Sequence, residues 1–76
     1  MNGIERSPVV CGGAACIGGT RIPVWVLEGY RRLGWTESTI LANYPTLRAD
    51  DLARAWEYVD ANRHEIDEAI ARNEAA

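Results

Sequence analysis

Pro23, Gly34 and Pro45 divide the middle of this chain into two segments of ten residues each, which restricts it to short helices joined by tight turns. A proline is tolerated at the first turn of a helix and a glycine commonly follows the last. The first segment is therefore predicted to be a helix from about Val24 to Leu33, with Val26, Leu27, Tyr30 and Leu33 as its inward stripe. Thr36 is a suitable N-cap for a second helix over Glu37 to Asn43, which Pro45 ends. The link Tyr44-Pro45-Thr46-Leu47 leads into a third helix, where Leu52, Ala55, Trp56 and Val59 recur at helical spacing. Asp50 and Asp51 fall in its first turn, favourable to the helix dipole, and read as solvated residues.

Beyond Val59 the pattern allows one long helix or a break. Asn62 with Glu65 three residues on resembles a capping box and favours a break, giving an amphipathic C-terminal helix over 63–74. The N-terminal side differs. Residues 1–7 show no periodicity and are expected to be frayed, while Val9 to Cys11 and Cys16 to Ile17 are short apolar runs around a glycine-rich turn. They suggest a small hairpin within 7–22 that needs the helices, or another subunit, to be stable. The expected fold is mainly α: a single helix-turn-helix-like domain of three to four helices over 1–76, with its core in 24–61 and a short N-terminal β segment.

At 76 residues the chain buries only about 60% of its unfolded surface, so association with a partner or with itself is expected. No apolar run reaches the roughly 18 residues that span a bilayer, and no basic segment precedes an apolar stretch at the start; a cytoplasmic location without membrane contact is expected. The formal charge of −3 is unevenly distributed. The first 47 residues carry four arginines and three glutamates, net +1, whereas the rest carry four arginines against eight acids, net −4. An acidic half is a poor ligand for phosphates, so DNA contact would fall to Arg31 and Arg32, with Arg48 and Arg54 at the start of the third helix.

The chemistry-bearing motifs are weak. Gly13 to Thr20 has the glycine spacing of a phosphate-binding loop, but Gly19 stands where that loop needs lysine. Cys11 and Cys16 with His64 fall short of a four-ligand zinc set and read as inert thiols and a solvated histidine. No catalytic set is legible, and no enzyme activity, metal or cofactor is expected. A different signal lies on the second face of the first helix. Trp25 beside Gly29 offers an aromatic anchor next to a place where another backbone can come close; the alternative is that Trp25 folds under the N-terminal hairpin.

With these residues placed, the chain resembles the small prokaryotic family called domain of unknown function 433. The resemblance rests on Gly12-Gly13, the run Cys16-Ile17-x-Gly19-Thr20-Arg21-Ile22-Pro23-Val24, Leu33-Gly34, Ile40-Leu41-x-x-Tyr44-Pro45-x-Leu47, Asp51-Leu52, Ala55-Trp56 and Glu65-Ile66. Arg48 departs from it, where a capping Thr or Ser is common, as does His64, where a proline often breaks the helix. The resemblance implies an antitoxin of a type II toxin–antitoxin system that binds and neutralises a PIN-like RNase, with operator DNA as a further implied ligand. An antitoxin must cover a site of metal-binding carboxylates, which a guanidinium can engage. The expected partner-binding residues are Trp25 and Gly29 on the first helix and Arg63, Ile66, Ile70 and Arg72 on the last. A stand-alone DNA-binding regulator and a homodimerising module, paired through Trp25, Gly29 and the hairpin, are the alternatives.

Overall fold

A computed structural model describes residues 4–5, 14–18, 20 and 22–75. They form three two-residue strands, β1 (Ile4–Glu5), β2 (Cys16–Ile17) and β3 (Ile22–Pro23), then four helices, α1 (Val24–Arg32), α2 (Glu37–Asn43), α3 (Ala49–Ala61) and α4 (Arg63–Ala75). This is the mainly α, helix-turn-helix-like arrangement with a short N-terminal β segment that the sequence predicts.

The strands pair antiparallel in the order β1-β2-β3, with Ile4 opposite Ile17 and Ile17 opposite Ile22. The first strand is a correction: it forms at Ile4–Glu5, inside the stretch expected to be frayed. A two-residue strand is too short to show a period, so the sequence gives no sign of it. The Val9 to Cys11 run and Cys11 itself lie outside the described residues. Between β2 and β3, the Thr20 hydroxyl donates to Ile17 O at 2.8 Å and accepts from Ile22 N–H at 3.2 Å, which folds the ribbon back on itself. Val24 N–H then donates to Ala15 O at 3.0 Å, tying the start of α1 to β2.

The helix boundaries follow local chemistry. Pro23 is extended at the N-cap of α1 (φ −66°, ψ 141°), and the helix ends at Gly34, whose φ of +96° is disfavoured for residues with a Cβ. Gly34 N–H donates to Arg31 O and Trp35 N–H to Tyr30 O, so the last carbonyls of the helix are satisfied. The Trp35 ring stacks on Tyr30 at 4.2 Å, closing that turn with an apolar contact. The Thr36 side chain caps α2 by accepting from Thr39 N–H at 3.2 Å. Arg48 has no acceptor with which to cap α3; instead the Asp51 carboxylate accepts from Arg48 N–H at 2.9 Å. Asp51 is therefore 3% exposed, not solvated as expected, because its carboxylate folds back onto the Arg48 N–H as the N3 half of a capping box, while Asp51 N–H itself donates to Arg48 O. Asp50 is exposed.

The break at Asn62 forms as predicted: its φ of −134° leaves the helical region, and its amide donates to Tyr58 O at 3.0 Å. The break lets α4 turn back along α1. Ile66 and Ile70 thereby join Leu27, Ile40, Leu52, Ala55 and Val59 in one core, closed on the strand side by Ile17. Among the described residues, this layering leaves the far side of α1 without a covering element. Among the described residues, no helix is long and apolar enough to cross a membrane.

Candidate functional site

The uncovered side of α1 and the end of α4 enclose a groove of about 630 Å³. Trp25, Gly29 and Leu33 run along its α1 wall at intervals of four residues, and Ile70 with Asn73 forms the α4 wall. Leu33 is 76% exposed, contrary to the expectation that it belongs to the inward stripe. It is the C-cap, and α1 ends before the helix can carry its side chain over the core. Val26 and Tyr30, also assigned inward, are half-buried and line the groove. The residues truly enclosed by α1 are Val24, Leu27 and Glu28.

Glu28 organises the charge beside this groove. Its carboxylate, 3% exposed, accepts from Arg31 Nε at 2.7 Å and from Arg32 Nε at 2.8 Å. Arg32 also reaches across to Asp67 on α4. These bonds, that to Asp67 first and to Glu28 second, raise the Arg32 pKa above the ordinary guanidinium value. The Arg31 guanidinium lies 4.3 Å from the centre of the Trp56 ring, whose Nε1–H donates to Glu37 at 3.0 Å. Trp56 is accordingly half-buried at the surface rather than a core residue. One buried carboxylate thus holds the two arginines that reach Trp56 on α3 and Asp67 on α4, and the cluster of Glu28, Asp67, Arg31 and Arg32 carries no net charge.

The sequence-predicted site residues separate into three groups. Trp25, Gly29 and Ile70 come together at the groove, whereas Ile66 is 2% exposed and wholly internal. Ile66 and Ile70 were expected as contacts for a partner; both are core residues, because the apolar stripe of α4 is used to cover α1 and only the edge of Ile70 reaches the groove. Arg63 is exposed and paired with Asp60 at 3.0 Å, and Arg72 is exposed with no ion pair among the described residues. Of the four arginines expected at DNA, Arg31 and Arg32 are engaged with Glu28 and Arg54 lies 3.5 Å from Asp51. Arg48 alone among these four has no ion pair with a described residue. The sequence reading missed Leu33 and Asn73 as groove residues; the signal for Leu33 was its place directly before the helix-ending glycine. His64 is solvated as expected, its ring 3.5 Å from Glu68. No group of three or more His, Cys, Asp or Glu side chains suited to a metal occurs among the described residues.

Fold and groove together define a small helix-turn-helix-like domain with an apolar face left open beside a neutralised arginine pair. The family model described as "Protein of unknown function (DUF433)" matches residues 4–59, and the chain belongs to this family. The chain is similar to a DUF433 member from Anabaena variabilis ATCC 29413 known from its crystal structure. The two are 51% identical with a TM-score of 0.89, over 93% of this chain and 70% of that one. Comparison with curated proteins finds no match. The family match ends at Val59, before α4, although α4 supplies Ile66, Ala69 and Ile70 to the interior.

Proposed function

We propose that this chain is an antitoxin that binds and neutralises a PIN-like RNase, working by contact rather than by chemistry of its own. Membership of DUF433 supports the reading, through the antitoxin role that the resemblance implies. The observation that carries it is Arg72. It stands exposed on the last turns of α4 with no ion pair among the described residues, a state it shares with Arg48 before α3, while Arg31, Arg32, Arg54 and Arg63 are each held by an acid. A guanidinium not already neutralised is free to make bidentate bonds to the carboxylates that hold metal in a nuclease site. Ile66 and Ile70 anchor α4 from beneath, so the charge is presented on a fixed element rather than on a loose tail.

The test is to mix the purified chain with the PIN-like RNase of a neighbouring gene. Co-elution as one complex is expected, and separate elution of the two proteins contradicts the proposal. Substitution Arg72→Ala is expected to weaken inhibition at least tenfold, the effect of losing about 1.4 kcal/mol; unchanged inhibition removes Arg72 from the account. Stand-alone recognition of operator DNA is less well supported, since pairing with acids cancels much of the charge that Arg31, Arg32 and Arg54 would bring to phosphates.

A further inference from the structure

We infer that the groove on α1 is where two copies of this chain pair, around a two-fold axis passing beside Gly29. The ridge Trp25, Gly29, Leu33 reads large, small, large at intervals of four residues, so it is symmetric about its centre. When two such helices cross antiparallel at Gly29, Trp25 of each copy meets Leu33 of the other, and the two glycines meet at the axis. Interlocking ridges of this i±4 kind form the commonest helix-packing class, and an isologous dimer requires a self-complementary patch. Both conditions are met by one stretch of one helix.

The structure shows that the middle of this ridge is open. A Cβ on Gly29 would meet nothing within 4 Å beyond its own helix backbone, so the missing side chain leaves space that no described residue uses. Leu33, 76% exposed, is the only large hydrophobic residue left out in solvent among the described residues, and it sits at the end of the same ridge.

The symmetry of the ridge selects a second copy as the occupant, and charge permits it. The whole chain carries −3, so most faces of two copies repel one another. Among the described residues Arg32 is the only charged one lining the groove, and with Arg31, Glu28 and Asp67 it forms a cluster of two positive and two negative charges. On that neutral face two acidic chains meet without placing like charges opposite each other. The short chain gains most from such a contact, since its own core is small for independent stability.

The inference does not rest on the nuclease reading, and its test needs no nuclease. Molar mass is measured by light scattering and sedimentation from low micromolar to millimolar concentration. The expected result is twice the 8.4 kDa chain mass at the upper end. Gly29→Leu and Leu33→Asp are each expected to weaken dimerisation at least tenfold. Gly29→Leu also separates interface from fold: it enters open space on a helix and improves helix propensity, so far-UV circular dichroism should be retained. A chain that stays at 8.4 kDa throughout overturns the inference, as does a dimer that both variants leave intact. A monomeric chain whose nuclease binding is lost in Leu33→Asp also overturns it and assigns the groove to that partner.

Discussion

Glu28 shows how one residue can redirect several others. Buried beneath two guanidinium groups, it takes Arg31 and Arg32 out of the pool of free cations and fixes both against neighbouring helices. The sequence marks the pairing, since Arg31 and Arg32 follow at three and four residues, but not the burial, because a glutamate between a leucine and a glycine on a short helix ordinarily faces water. Replacing it by alanine removes a charged acceptor shared by two donors and is expected to cost on the order of 2 kcal/mol, read as a lower denaturation midpoint. Tyr44 makes a second prediction at this scale. Its hydroxyl donates to the Tyr30 hydroxyl at 3.3 Å; this bond, with burial adding to it, pushes the Tyr44 pKa up from 10.0 to about 12. The folded chain therefore holds a proton that the unfolded chain releases near pH 10. The stability this contributes is present below pH 10 and is lost as pH rises through about 12. The thermal midpoint should fall over that window, and the fall should be smaller in Tyr44→Phe.

At the scale of elements, the helix limits were legible because each rests on a residue with a specific backbone preference. Pro23 and Gly34 bracket α1, Thr36 caps α2, and Asn62 separates α3 from α4. The inward faces were less legible. Periodicity finds the apolar stripe of α4 but does not say whether its own chain or another protein covers it. The structure gives Ile66 and Ile70 to the core, which makes α4 part of the fold although the family match ends before it. Ile66→Ala should accordingly cost about 3 kcal/mol, whereas Ala71→Ser on the exposed side of the same helix should change little. Equal small effects at both positions in chemical denaturation would show that α4 is not packed as described. The strand at Ile4–Glu5 was illegible for a different reason, since two residues paired with a distant strand leave no local pattern.

At the scale of the molecule, the described apolar residues build a core that draws on all four helices and leave one ridge of α1 uncovered by any described element. The sequence reading found the centre of that ridge in Trp25 and Gly29, since a tryptophan beside a glycine is visible without coordinates. It missed the role of Leu33, because membership of an inward stripe depends on where the helix stops. The two proposals use different surfaces: self-pairing through α1, and the presentation of Arg72 from α4. A dimer would therefore display two α4 helices to its partners. The central claim is that contact with this chain silences a PIN-like RNase. Its most direct test is cleavage of a labelled RNA by that RNase, titrated with the purified chain. The account predicts cleavage falling to background as the two proteins reach equal concentration, with Arg72→Ala shifting the curve to higher concentration while circular dichroism is unchanged. Full cleavage in the presence of a large excess of the folded chain would contradict it.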